Sequence, residues 1–262
     1  LANVRFFIAG ILLLGFSYVT SKDESYRWPD RGELRQLALF GFLNTTLYLG
    51  LYVYAMKYTS AGIGSLAVST NPLLIVLLSA FWLRRRPLKT DWISITAGMV
   101  GIGIATFPLL KNSQTSLLGI TVLLMSMVSV SVASVYYTSV RWRVSNLVLN
   151  GWQVMLGGIF LLPITIISSD LKNISLDAQF WSSVVWLSLA VSVVGLICWF
   201  YLLRIDPVRA SLWLFLCPLF GFFFAWWLMN EAITGYTVVG TVLVLLGLFI
   251  GQRSRIGIAR KR

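Results

Sequence analysis

The apolar positions of this chain run in long stretches rather than repeating every second or every third to fourth residue. Stretches near the bilayer-crossing length of about 20 residues recur at 2–20, 36–56, 61–83, 92–110, 116–138, 145–168, 181–203, 208–229 and 234–251. Lipid on every side demands such all-round apolarity, whereas a helix at a water boundary would carry a polar stripe. The pattern predicts an all-α integral membrane bundle of nine spans, with loops too short for a soluble domain. One span is interrupted. The stretch 67–86, "AVSTNPLLIVLLSAFWLRRR", places Pro72 well inside an apolar run, directly after Ser69, Thr70 and Asn71. A proline there removes a backbone donor and crowds the carbonyl one turn earlier, so it needs a reason.

Composition supports the membrane reading. Charged residues are 11% and hydrophobic residues 58% of the chain, where a soluble domain carries roughly 25% charged. The net charge of +12 would suggest a polyanionic partner if it were clustered, but it lies at span ends and follows the positive-inside rule. With the C-terminus inside, 17 of the 21 Lys and Arg fall on the cytoplasmic side. The four on the other side are Arg5, Lys57, Lys111 and Lys172. A multi-pass protein of the cytoplasmic membrane, with no nucleic-acid partner, is expected. Cys198 and Cys217 both lie in apolar spans and give no disulfide framework.

The interruption recurs. "YAMKYTSAGIGSLAVSTNPL" (54–73) aligns with "YLLRIDPVRASLWLFLCPL" (201–219), matching Tyr54 to Tyr201, Lys57 to Arg204, Ser65 to Ser211 and Pro72 to Pro218. The copies stand five spans apart, so they cross in opposite directions. Interrupted helices at matching places in inverted repeats point to a transporter binding site, because freed carbonyls need a hydroxyl, a neighbouring helix or water. The bland alternative is a pair of packing kinks.

These stretches, with "NGWQVMLGGIFLLPI", "NEAITG" and "VVGTVLVLLGLFIG", resemble the EamA-type members of the drug/metabolite transporter superfamily. The resemblance implies ten helices in two inverted five-helix repeats with both termini cytoplasmic. Nine spans fit that pattern without its first helix. The expected division is 1–110 for the first repeat, 116–251 for the second and 252–262 for a basic cytoplasmic tail. The chain departs from the family pattern at Cys217, where Glu is common, and at Arg84, Arg85 and Arg86, where a Gly-Glu-Arg type turn is usual. The missing acid weakens the case for proton coupling by that route.

No catalytic set is visible. The chain has no His, and its nine acids lie in loops or at span ends, so neither an enzyme nor a bound cofactor or metal is expected. Uncharged polarity is what the spans offer. Asn44, Tyr48 and Tyr52 form one helical stripe, and Ser65 and Ser69 a second that reaches Asn71. Ser126, Ser129 and Tyr137 form a rougher third, and Gln153 stands beside Trp152. In the second repeat Trp199, Phe215 and Cys217 replace Tyr52, Ser69 and Asn71, and Trp213 joins them. These residues make the expected substrate site, a polar wall facing an aromatic one. For any single serine the alternative is a bond to its own helix. Trp82, Trp92, Trp142, Trp181 and Trp226 read as interfacial anchors, and Asp206–Pro207 as a helix cap. Small residues at Ala97, Gly101 and Ala105, and at Gly247 and Gly251, predict close helix packing. That packing is expected within the chain, with a homodimer face as the alternative.

The resemblance implies a secondary transporter for a small organic metabolite, with amino acids or similar zwitterions favoured. The alternatives are a nucleotide-sugar or drug carrier of the same superfamily and, from another class, a membrane structural or regulatory subunit that no longer transports.

Overall fold

The computed structural model describes residues 2–20, 27–59, 61–84, 86–112, 116–168, 177–229 and 234–259, and all regular elements among them are helical. In chain order they are α1 (Ala2–Thr20), α2 (Arg31–Gly41), a π-helical segment Phe42–Leu47, α3 (Tyr48–Ala55), α4 (Ala61–Val68), α5 (Asn71–Trp82), α6 (Lys89–Asn112) and α7 (Leu117–Ser139). Then come α8 (Asn146–Ser168), α9 (Ala178–Trp186), a second π-helical segment Leu187–Gly195, α10 (Leu196–Ile205), α11 (Pro207–Leu212), a 3-10 turn Trp213–Phe215, α12 (Leu216–Met229) and α13 (Gly235–Ala259).

Six helices among the described residues are long and apolar enough to cross a membrane. The other three expected spans are helical too among the described residues. The expected spans 61–83 and 208–229 are each built from two shorter helices, α4–α5 and α11–α12, and 92–110 falls inside α6. Helix α13 also runs on to Ala259, so the expected tail from 252 begins as helix.

The breaks explain the prolines. After α4 the Thr70 N–H and Oγ1 both donate to the Ala67 carbonyl, at 2.9 and 2.7 Å. Pro72 is then the second residue of a restarted helix, where an N–H would have no intrahelical acceptor. Pro218 is likewise the third residue of α12, after the 3-10 turn. Neither proline sits in the middle of a continuous helix.

The π-helical segments carried no sequence signal, yet they too recur. Asp30 caps α2 and Asp177 caps α9, each through its carboxylate to the backbone N–H three residues on, at 2.7 and 2.8 Å. Asp177 and Tyr201 each follow their counterparts, Asp30 and Tyr54, by 147 positions, with a π-helical segment between cap and tyrosine in both copies. At Asp30 the Glu33 side chain returns a bond to the cap N–H, completing a capping box. The Glu33 N–H is the largest influence holding the Asp30 carboxyl below its ordinary range, with the Gly32 N–H and the Arg27 and Arg143 charges acting in the same direction. A depressed carboxyl stabilises the cap above its unfolded value, and that support is lost as pH falls through its folded one.

The chain groups into two compact units, Leu1–Gly50 with Tyr136–Arg204, and Leu51–Val135 with Ile205–Arg262. Each takes pieces from both halves of the sequence. In the first unit α1 packs on α8, with Phe6 against Gly158 and Leu14 against Gly151, so the two run antiparallel. Phe6, Ala9, Val154 and Leu161 form their core.

In the second unit α6 packs antiparallel on α13, with Gly101 against Gly240, Gly247 against Ala97 and Gly251 against Ser94. A Cβ on Gly101 would stand 2.7 Å from the Gly240 carbonyl oxygen, so only glycine admits this approach. The stripe Ala97, Gly101, Gly247 and Gly251 thus packs within the chain. The broken helices pack crosswise in the same unit, α4 on α12 and α5 on α11. Each first half meets the other's second half, which is antiparallel packing.

Candidate functional site

The first unit holds a buried polar chain. Gln153 and Asn150, both on α8, are fully buried. Gln153 Oε1 accepts from Thr45 Oγ1 at 2.9 Å and from Asn44 Nδ2 at 3.4 Å, both on the first π-helical segment. Gln153 Nε2 donates to Asn150 Oδ1 at 3.0 Å, and Asn150 Nδ2 donates to the Ser192 carbonyl, in the second π-helical segment, at 3.1 Å. A π turn leaves backbone groups out of the regular ladder, and here side chains meet them. Close approach makes this geometry possible. A Cβ on Gly157 would collide with Thr45, and the Gly157 carbonyl accepts from Thr46 Oγ1 at 2.8 Å.

Gln153 and Asn44 thus fall together, with Gln153 Oε1 and Nε2 and Asn44 Nδ2 engaged by protein. Thr45 and Asn150 were missed. Their signals were adjacency to Asn44 and a three-residue spacing to Gln153 on one helix face. Trp152 meets Trp28 edge-on at 5.7 Å, and its Nε1 finds no partner among the described residues.

Tyr137 belongs to a separate cluster. Its hydroxyl accepts from Arg204 Nε at 2.7 Å and donates to Asn146 Oδ1 at 3.3 Å. Its ring stacks on Phe200 at 4.9 Å and on Trp142 at 6.1 Å. The Trp142 Nε1 donates to the Tyr137 carbonyl, so Trp142 also packs within this cluster. Trp82, Trp92, Trp181 and Trp226 are exposed, as anchors would be. Tyr48 on α3 and Trp199 on α10 are both half-buried.

In the second unit, the α4–α5 break gathers the other polar positions. Ser69 and Asn71 are buried, and Asn71 Oδ1 accepts from Ser131 Oγ of α7 at 3.0 Å. Ser131 was not singled out in the sequence. Ser126, one turn before it, bonds the Leu123 carbonyl of its own helix at 2.6 Å, the bland alternative. Ser129 is buried on the same helix. Tyr52 places its hydroxyl against Gly64 of α4. The Ser65 side chain lies outside what the structure describes, as does Glu231. At the second break Phe215 is fully buried against Gly98, whereas Trp213 and Cys217 are exposed. The Asp206 carboxylate caps α11 through the Val208 and Arg209 N–H groups, at 3.0 and 3.1 Å.

One family model, the EamA-like transporter family, matches residues 1–107 and residues 117–251. The chain belongs to the EamA-like transporter family. Its two matched stretches correspond to the two copies seen in caps, π-helical segments and breaks. Among EamA relatives it is 27% identical to an "Uncharacterized transporter" of Archaeoglobus fulgidus, over 97% of this chain and 88% of that protein. It is 26% identical to Protein PecM of Dickeya dadantii, over 89% and 79%, and 25% identical to the inner membrane transporter YedA of Escherichia coli, over 95% and 82%. A solved crystal structure superposes with a TM-score of 0.80 over 95% of this chain and 85% of that one, at 17% identity, a likeness of fold. The relatives' names support a multi-pass membrane transporter rather than an enzyme.

Proposed function

We propose that this EamA protein is a secondary transporter that moves a small organic metabolite, an amino acid or similar zwitterion, across the cytoplasmic membrane by alternating access. The observation that carries the reading is the crosswise packing of two broken helices, α4–α5 and α11–α12, with Asn71 at one break. Discontinuous helices in inverted repeats are how such carriers place backbone and side-chain polarity at mid-membrane. The sequence division into 1–110, 116–251 and the tail 252–262 is kept as the description of the repeats. Ser69, Asn71, Trp213 and Cys217 are the side chains assigned to the substrate path, with Tyr52 on α3, all in the second unit.

Flux into proteoliposomes, screened over zwitterions with and without a pH gradient, tests the reading. Asn71→Leu is expected to lower flux about 2- to 12-fold, the value of one hydrogen bond of about 0.5–1.5 kcal/mol. Membrane expression should remain intact. Full activity in this variant would leave Asn71 a purely structural partner of Ser131. Orientation is tested by single cysteines at positions 88 and 112. Position 112 should label from outside sealed cells and position 88 should not. The reverse pattern would overturn the cytoplasmic assignment of the C-terminus.

A further inference from the structure

One end of the second unit gathers positive charge. Arg84, Arg86, Lys89 and Arg253 are exposed there, and Arg209 is half-buried. Packing brings their helices together. Ser94, in the second turn of α6, meets Gly251 of α13, and so does Leu212 of α11. Arg209 Nε donates to Gln252 Oε1 at 2.5 Å, and Gln252 Nε2 returns a bond to the Arg209 carbonyl at 3.1 Å. This reciprocal pair fastens the start of α11 to α13 at the residue before Arg253. The acids of the same end, Asp91 and Asp206, accept backbone N–H bonds at the starts of α6 and α11. Among the described residues no acid forms an ion pair with Arg253.

Arg253 also belongs to an apolar stripe. Val242, Leu246 and Phe249 are exposed along α13, on the face turned away from the glycines that pack on α6. Arg253 continues that stripe by one turn. Its guanidinium lies 5.9 Å from the centre of the Phe249 ring, folded back over the end of the stripe. In a membrane bundle such a stripe faces acyl chains, so a charge at its end stands at headgroup depth. Trp82 and Trp92, exposed at the end of α5 and the start of α6, are the aromatic residues expected at that depth. With the orientation expected from the charge distribution, this end meets the cytoplasmic leaflet, whose anionic lipids attract basic clusters beside a span. A guanidinium also takes a phosphodiester in two parallel bonds. We propose that this end of the second unit is a docking surface for anionic phospholipid. Arg253 holds the phosphodiester, the acyl chains lie along the stripe at 242–249, and the other four cations supply the attracting field. A soluble polyanion would use the charges and leave the stripe uncovered. The proposal needs only the membrane bundle and is independent of what is transported.

The detergent-solubilised protein is titrated with dioleoyl phosphatidylglycerol or dioleoyl phosphatidylcholine, and retained lipid is counted by native mass spectrometry. Both lipids carry the phosphodiester, but choline sets a cation against the basic cluster. Phosphatidylglycerol should bind the tighter of the two by about fivefold or more, since each surface arginine is worth about that factor at an anionic interface. Arg253→Gln should weaken phosphatidylglycerol by about fivefold. Arg253→Lys, which keeps the charge and loses the fork, should fall between. Arg35→Gln removes an equal exposed charge from the first unit and should leave the tightest-bound lipid unchanged. Equal affinity for the two lipids would overturn the docking surface. So would equal losses in Arg253→Gln and Arg35→Gln, which would reduce the effect to net charge. Displacement of the lipid by inorganic phosphate at the same concentration would overturn it in favour of a free-phosphate site. Displacement by a short single-stranded oligonucleotide would overturn it in favour of nucleic acid.

Discussion

Gln153→Leu is expected to lower the thermal midpoint of the detergent-solubilised protein more than any other single polar-to-apolar change in the first unit. The side chain is isosteric enough to avoid a large cavity, so the effect is electrostatic. Leucine would leave Thr45 Oγ1, Asn44 Nδ2 and Asn150 Oδ1 each short of a buried partner. Each buried orphan costs about 1–3 kcal/mol, and helix-helix hydrogen bonds in membranes sit at the lower end. A loss of about 2–4 kcal/mol follows. The control is the double variant Thr45→Val with Gln153→Leu, which should recover part of the loss because it removes a stranded partner as well. A midpoint unchanged in the single variant would show that the polar chain is dispensable. From sequence alone Gln153→Leu would be expected to impair substrate binding with stability intact. The buried, fully engaged amide changes that expectation.

Pro72→Ala and Pro218→Ala are expected to shift the balance between outward-open and inward-open forms in opposite directions, by about fivefold each if alanine reclaims one backbone bond of about 1 kcal/mol. The physical change is small and local. Each proline lies in the first turn of a restarted helix, and alanine there permits the helix to run back through the break. The two helices are antiparallel counterparts, so straightening one opposes straightening the other. The double variant should return toward balance. Cysteine accessibility at the two membrane faces reads the populations. Biases of the same sign, or none, would mean that the prolines only shape packing.

Which features could be read in advance follows from what lipid and sterics demand of each. Apolar runs were legible because hydrocarbon tolerates nothing else, and the breaks because Pro72 and Pro218 cannot be hidden in a pattern. The glycine stripe was legible as a close contact, but whether α13 or another molecule filled it depended on tertiary structure. Gln153 was legible as polarity that needs a partner. Its partners were not, since Thr45 and Asn150 look like ordinary tolerated polar residues until two helices are brought together. Trp142 was legible by position as a span-end aromatic, but its packing on Tyr137 was not. The π-helical segments "FLNTTL" and "LSLAVSVVG" were invisible, because one extra residue in a turn changes neither hydropathy nor propensity.

That extra residue has a consequence for how the protein tolerates change in length. A helical residue turns the chain by about 100° and advances it by only about 1.5 Å. Deleting one position within 42–47 would relax the segment to an ordinary helix and scarcely shorten the span. Because the wide turn, closed i→i+5, has already absorbed that residue, Tyr48 to Gly50 would keep their facing. The same deletion in a regular stretch of α8 would instead swing every later residue by about 100°. The two π-helical segments, Phe42–Leu47 and Leu187–Gly195, are therefore the places where these helices can lose a residue and keep their faces.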